Sequence, residues 1–117
     1  MAAPNIINAT TITGKTAGLA VTTSASAIVS NASSSGKVLK LNALYCSCVA
    51  ASNGWVTVDV YKNGTTAYRI AYQITVPTNA TLDVLSQPVY LEENDSIRLT
   101  ANANSTIEAV CSYEDIS

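Results

Sequence analysis

The feature that most constrains this chain is an alternation of apolar and polar residues with a period of two, which is typical of half-buried β-strands. The segment "GWVTVDVYKNG" places Val56, Val58 and Val60 on one side of an extended strand, with polar and aromatic residues between them. The same alternation recurs in three later segments, which we also predict to be strands: "YRIAYQITVP", "SIRLTAN" and "TIEAVCSYEDI".

Two of the predicted strands carry more specific expectations about which faces are buried. In "YRIAYQITVP" the alternation predicts that Ile70, Tyr72, Ile74 and Val76 share one face. The segment "KVLKLNALYCSCVA" is nearly all apolar after Asn42, which predicts a strand that is covered on both faces.

Turn residues separate these strands at regular intervals. The Asn-Gly pairs at 53–54 and 63–64 tolerate positive φ, so we expect tight hairpins or bulged turns at both places. Pro77 with Asn79, and the acidic stretch 93–95, predict further reversals of the chain.

The length and the spacing of the strands predict an all-β fold. A chain of 117 residues corresponds to a single domain, and strands about 8–12 residues apart are typical of an antiparallel β-sandwich, either immunoglobulin-like or jelly-roll. The one candidate helix, at 22–29, is short, rich in Ser and Thr, and uncapped. We therefore predict a β-sandwich domain over 21–117, preceded by an N-terminal arm or edge strand over 1–20 that contacts a neighbouring subunit. The alternative for 1–20 is a frayed terminus.

The composition argues against partners that need a strong charge or an apolar span. Charged residues make up 12%, about half the usual share, and a net charge of −2 gives no positive field for nucleic acid. No segment approaches the roughly 20 apolar residues that cross a bilayer, and the first residues lack the pattern of a secretory signal. We expect no nucleic acid and no membrane among the partners, and a protein that stays in the compartment where it is made or leaves it by cell lysis.

Residues suited to catalysis or metal binding are scarce, and we expect neither an enzyme nor a cofactor. The chain has no His, which removes the usual general base, and its five glycines are too scattered for a phosphate-binding loop. Glu92, Glu93 and Asp95 form an acidic cluster without the spacing of a calcium loop. We predict a solvated turn in which Asp95 caps its own backbone, with a weak surface cation site as the alternative.

Three cysteines leave a disulfide or a metal site open but do not favour either. Cys46 and Cys48 point to the same face of a strand, and either could meet Cys111 across paired strands. Without His, a zinc site lacks a fourth ligand. We predict that all three are small buried residues with free thiols.

Aromatic residues are the candidate contacts for a glycan or a partner. Two of them, Trp55 and Tyr61, lie near opposite ends of one predicted strand and are the predicted contact residues. Exposed together, they would offer a stacking platform for a sugar. The competing interpretation buries Trp55, the single Trp of the chain, in a core that has no Phe.

Several segments together carry a resemblance to a known group: "GKVLKLNAL", "VTVDVYKNG", "VPTNATLDVL", "VYLEENDSIRLTA" and "VCSYEDIS". The chain resembles short virion structural proteins of tailed bacteriophages, especially those that infect marine cyanobacteria. In that group the turn within "VYLEENDSIRLTA" is more often Glu-Glu-Gly-Asp, so Asn94 is a departure by another residue that tolerates positive φ.

The resemblance implies a β-sandwich that attaches to a phage particle and has no catalytic residues. The first expectation is a capsid decoration or cement protein, located in the virion after assembly in the host cytoplasm. It would stabilise the head by contacts with the major capsid protein or other virion proteins and would form a homo-oligomer. The alternative is a tail, neck or fibre component, including a module that recognises a host glycan. We expect the arm and the exposed face of 62–76 to contact these partners.

Overall fold

The computed structural model describes residues 9–117, which form nine β-strands. In chain order the strands are β1 (Ile12–Val21), β2 (Ser26–Ser30), β3 (Val38–Cys48), β4 (Gly54–Lys62), β5 (Thr66–Val76), β6 (Thr81–Asp83), β7 (Val89–Leu91), β8 (Ser96–Ala101) and β9 (Ile107–Ile116). They build two antiparallel sheets that pack face to face. The first sheet has the order β1-β9-β3 with β6 and β7 beside β3, and the second has the order β2-β8-β4-β5.

The strand order is that of a jelly roll, one of the two predicted arrangements. β6 and β7 pair with the two halves of β3, so they act as one interrupted strand. Within residues 9–117, every connection other than the β4–β5 hairpin and the β6–β7 segment then passes from one sheet to the other. This crossing pattern distinguishes a double-sheet jelly roll, and the predicted all-β antiparallel sandwich is confirmed.

The alternating residues of the predicted strands form the core between the sheets. Val56 and Val58 of β4 are fully buried, as are Ile97 and Leu99 of β8. In β9 the predicted alternation is also confirmed: buried and exposed residues follow one another from Ile107 to Cys111. Each Val, Leu or Ile side chain buried in this way contributes about 1.5–3 kcal/mol to the free energy of unfolding.

β3 is a central strand, but the prediction that both of its faces are covered is wrong. Leu41 and Leu44 are both fully buried although they are three residues apart, because a bulge lies between Leu41 and Ala43 in the pairing with β9. The other face of β3 points away from the core, and Tyr45 on that face is 43% exposed. The segment after Asn42 has an apolar sequence because small and aromatic residues occupy the outer face of β3.

The two Asn-Gly pairs behave differently. Asn63 and Gly64 have φ of 54° and 65°, which confirms the predicted tight turn between β4 and β5. At 53–54 the prediction is wrong, since neither residue has a positive φ and Gly54 is buried at the start of β4. A Cβ atom on Gly54 would lie 2.7 Å from a methyl carbon of Thr106, so the position requires a glycine for packing and not for φ.

The segment between the first two strands is extended. The prediction of a candidate helix at 22–29 is wrong, because β1 continues to Val21 and β2 begins at Ser26. β1 pairs with β9 from Ile12 to Val21 and lies at the edge of the first sheet, with no partner on its other side among residues 9–117. Residues 1–8 of the predicted arm lie outside the described residues. In the described part of the chain, no helix has the length and hydropathy to cross a membrane.

Candidate functional site

The outer surface of the second sheet collects the aromatic and cationic side chains; we call it the β4 face. It is formed by outward-pointing residues of three neighbouring strands: Trp55, Thr57, Asp59 and Tyr61 of β4, Arg98 and Thr100 of β8, and Arg69, Tyr72 and Gln73 of β5. Alternation along β4 therefore places both predicted contact residues, Trp55 and Tyr61, on the same face. Each is half-buried, so Trp55 is not a core residue.

A pair of irregularities in β5 supplies the residues of this face that the sequence pattern did not predict. The register of the β4–β5 pairing moves from Val56 opposite Ile74 to Val58 opposite Ala71. Gln73, in the shifted segment, has φ of 48°, and its N–H donates a hydrogen bond of 3.0 Å to the hydroxyl of Thr57. A bulge re-aims the side chains that follow it.

The side chains of β5 consequently do not share one face. Ala71 packs against the core, whereas Tyr72 turns outward and is 61% exposed. The prediction that Tyr72 lies on the same face as Ile74 and Val76 is therefore wrong, because it assumed an uninterrupted alternation. Ile70 is 38% exposed.

Arg98 is fixed in place on the β4 face. Its Nε atom donates a hydrogen bond of 2.9 Å to Oδ1 of Asp59, and its guanidinium lies 4.0 Å from the centroid of the Tyr61 ring. Asp59 is only 5% exposed, so water solvates its carboxylate poorly. The ion pair with Arg98 supplies the neutralising charge that a buried carboxylate requires. The ion pair and the stacking together hold Arg98 in one orientation.

Arg69 is exposed on the same face and has a different environment. It stands opposite Asp59 in the strand register, but no carboxylate oxygen lies within 4.0 Å of it in residues 9–117. Its guanidinium lies 5.0 Å from the centroid of the Tyr72 ring. Between Trp55, Tyr72 and the two arginines is an open depression of about 240 Å³. Such a surface offers aromatic stacking and guanidinium hydrogen bonds to a ligand.

The acidic cluster is a structural corner, and the prediction of a solvated turn is wrong for Asp95. Asp95 is 2% exposed, and its carboxylate accepts hydrogen bonds from Asn63 N (2.8 Å), Glu92 N (3.0 Å) and Lys62 Nζ (2.6 Å). The bond from Glu92 N confirms that Asp95 caps its own turn. The bonds from Lys62 and Asn63 also tie the β7–β8 turn to the β4–β5 hairpin.

The electrostatics of this corner favour the charged form of Asp95. Burial alone would raise the pKa of its carboxyl, but the hydrogen bonds from Lys62 and from the backbone N–H of Asn63 and Glu92 outweigh burial and lower it. The contacts with Asp95 and Glu92 raise the pKa of Lys62. Glu93 accepts a 2.6 Å bond from Gly36 N and adds the β2–β3 loop to the corner. No group of three or more Cys, Asp or Glu side chains in residues 9–117 is placed to hold a metal ion.

The three cysteines are buried as free thiols, as predicted. Cys46 and Cys48 face the core from β3, and Cys111 faces it from β9. Burial, with a smaller effect from the charge of Asp83, raises the pKa of Cys46 to about 12. Burial also raises the pKa of Cys111 to about 11. Both groups are therefore thiols at neutral pH and behave as small apolar side chains.

Comparisons with known proteins show the fold and nothing finer. A scan against models of protein families and a search of curated proteins gave no match. Among solved structures, the chain is similar to one described by the words "Bacillus endospore appendages form a novel family of disulfide-linked pili". The TM-score is 0.55, the identity is 16%, and the match covers 92% of this chain and 88% of that chain. The two chains thus share a β-sandwich over nearly their whole lengths.

Proposed function

We propose that this chain is a non-enzymatic structural subunit of a bacteriophage particle, a capsid decoration or cement protein. The phage assignment rests on the sequence resemblance described above. An assembly role is supported independently by the Bacillus structure, since the fold also serves in a pilus. The linkage named for those pili is not part of the proposal, because Cys46, Cys48 and Cys111 are all buried.

The observation that carries the proposal is the outer surface of the first sheet, which we call the β1 face. Two adjacent rows of residues across β1, β9 and β3 contain no charge: Thr16, Ser112 and Ala43 in one row, and Gly18, Val110 and Tyr45 in the next. Val110 and Tyr45 are 42% and 43% exposed. The two rows form an uncharged strip, with Glu108 and Glu114 in the rows on either side of it. Such a strip packs closely against a neighbouring protein without burying unpaired charges.

The free edge of β1 extends this surface. β1 has ten residues and no proline, and its one charged residue, Lys15, is already paired with Asp115 at 3.1 Å. An edge strand without these obstacles is able to pair with a strand of another chain. The edge and the β1 face together give the subunit two kinds of contact with capsid proteins or with copies of itself, and many weak contacts on one particle add up.

The position of the protein in the particle is tested by its copy number. Quantitative mass spectrometry of purified particles, with cryo-EM, is expected to give hundreds of copies spread over the shell. A few to a few dozen copies at the tail or neck would contradict decoration.

The role of the β1 face is tested by a charge placed on it. Val110→Glu is expected to prevent attachment to particles that lack the protein, because a carboxylate would be buried without a partner. Val49→Glu is the matched control, since Val49 is 52% exposed and lies beyond the end of β3. Normal attachment of the Val110→Glu protein would exclude the β1 face as the contact.

A second candidate function is a tail, neck or fibre module that recognises a host glycan. The observation that favours it is the β4 face, where Trp55, Tyr61 and Tyr72 stand beside two arginines.

A further inference from the structure

We propose that the β4 face binds a saccharide that carries carboxylate or sulfate groups. A sugar ring would lie against Tyr72 or Trp55, and its anionic group would accept hydrogen bonds from Arg69. The inference gives a ligand class to the second candidate function and rests on it. It is independent of capsid decoration, because it needs only the second sheet.

The exposure of Tyr72 is the first argument. Gln73 holds a positive φ that a non-glycine residue adopts only at a cost, and the irregularity turns a tyrosine out of a core that is short of aromatic side chains. Tyr72 is thereby left outside the hydrophobic core. The C–H groups on one side of a sugar ring are apolar and slightly positive, and they suit the negative face of an exposed aromatic ring.

The charge of the β4 face is the second argument. Four of the six cationic side chains pair with carboxylates within 4.0 Å, namely Lys15, Lys37, Lys62 and Arg98. Among the described residues 9–117, Arg69 and Lys40 have no such partner, and of these two Arg69 belongs to the β4 face. In a chain of net charge −2, the depression thus combines an available guanidinium with aromatic faces. A guanidinium binds carboxylate or sulfate oxygens through two parallel hydrogen bonds.

The polar side chains that line the depression suit a hydroxyl-rich ligand. Thr57, Gln73 and Thr100 contribute hydroxyl and amide groups, which both donate and accept hydrogen bonds. The depression is open to solvent, so a polymer passes across it without having to thread into the protein. A chain of sugars fits these features better than a compact, wholly apolar ligand does.

The position of Trp55 makes the test direct. Trp55 is the single tryptophan of the chain and lines the depression, so its fluorescence reports binding at this place. The purified protein is titrated with polygalacturonate, which is carboxylated, with dextran sulfate, and with neutral dextran. A saturable change is expected with at least one anionic polymer and not with dextran. The polymer that gives the tighter binding identifies the anionic group.

Two pairs of variants locate the binding. Arg69→Gln is expected to weaken binding by about tenfold or more, because it removes a charge-assisted contact. Lys40→Gln removes the same charge from the opposite sheet and is expected to change nothing. Tyr72→Ala is expected to weaken binding similarly, whereas Tyr68→Ala is its control, with 62% exposure on the same strand but on the other face.

Three results would overturn the inference. The first is a flat titration with all three polymers, and the second is equal binding of dextran and the anionic polymers. The third is an equal loss of affinity in Arg69→Gln and Lys40→Gln, which would show non-specific attraction. Circular dichroism confirms that the variants fold, as the exposure of their side chains predicts. None of these results affects the copy number on particles, so failure here is distinct from failure of the decoration proposal.

Discussion

Replacing Asp95 with alanine is expected to unfold the corner that joins two turns of the second sheet. The change removes the acceptor of two backbone N–H groups, those of Asn63 and Glu92, at 2.8 and 3.0 Å. A hydrogen bond to a charged acceptor contributes about 1.5 kcal/mol at the low end of its range, so the two contribute about 3 kcal/mol. Lys62 is 40% exposed and keeps its 2.7 Å bond to Glu92, so its share is below about 1 kcal/mol.

The expected loss of about 3–4 kcal/mol is large for a domain whose total stability is about 5–15 kcal/mol. It is measured by urea unfolding, with Trp55 fluorescence as the signal. For a slope of about 1.5 kcal/mol per molar urea, the midpoint falls by about 2–2.7 M.

The matched control is Glu92→Gln, which removes a carboxylate bound to the same Lys62 atom. Glu92 has a side-chain exposure of 69%, so solvent already screens its ion pair, and the expected loss is below about 1 kcal/mol. Equal losses in the two variants would refute the reasoning, since the difference in burial would then be without effect. A loss below about 1 kcal/mol in Asp95→Ala would likewise show that the buried hydrogen bonds do not hold the corner.

The same carboxylate predicts a dependence of stability on pH. The folded protein lowers the pKa of Asp95, so in acid the unfolded chain binds more protons than the folded one. The contribution of Asp95 is therefore complete above the ordinary pKa of about 3.9 and is lost as the pH falls through the lower, folded-state value. The stability gap between wild type and Asp95→Ala should be constant near neutrality and narrow below about pH 4. A gap that widens in acid would contradict this sign.

Further predictions concern the glycines and the thiols. Gly54→Ala should cost about 1–3 kcal/mol in urea unfolding, because the added Cβ would lie 2.7 Å from Thr106. Gly14→Ala, with nothing within 4 Å of the new Cβ, should be neutral or stabilising by about 0.5 kcal/mol. Cys46 and Cys111 should resist a thiol reagent at pH 8 in the folded protein and react once urea unfolds it, because burial raises the pKa of both groups. Rapid labelling of either before unfolding would show that β3 or β9 opens locally.

The fold was largely predictable because alternation identifies the core-facing residues of β4, β8 and β9, although Thr57 and Asp59 on the outer face of β4 are buried as well. The core-facing residues of these strands, such as Val58, Leu99 and Cys111, obey a period of two. The prediction failed where an extra residue enters a strand. In β3 and β5 a bulge shifts the period, and no local composition marks the positions of Ala43 or Gln73.

Turn residues were also only partly predictive, because contacts with residues distant in the sequence decide the conformation of a single turn. Asn63-Gly64 and Asn53-Gly54 are identical dipeptides, and only the first forms a turn with positive φ. The difference lies in a distant contact, since Gly54 packs against Thr106. Asp95 is a similar case: its place in a turn follows from its neighbours in sequence, but its burial follows from Lys62 and Asn63, more than 30 residues earlier.

Only part of the candidate site was predictable from the sequence, because some of its residues come together through contacts between strands. Trp55 and Tyr61 lie on one regular strand six residues apart, so alternation is sufficient to place them together. Arg69 and Tyr72 join them only through the pairing of β4 with the irregular strand β5. The signal that could have drawn attention to Tyr72 is the surplus of large residues in "YRIAYQI", which exceeds what one face of an edge strand can bury.

The two proposed functions use the two outer faces of the sandwich, which lie on opposite sides of the molecule. The β1 face and the β4 face belong to opposite sheets, which pack about 10 Å apart and point in opposite directions. A subunit attached through the β1 face therefore presents the β4 face to the surroundings. Contact with a particle and contact with a saccharide do not compete for the same residues, and the Asp95 corner, which ties the β4–β5 hairpin to the β7–β8 turn, keeps the second sheet in shape for either role.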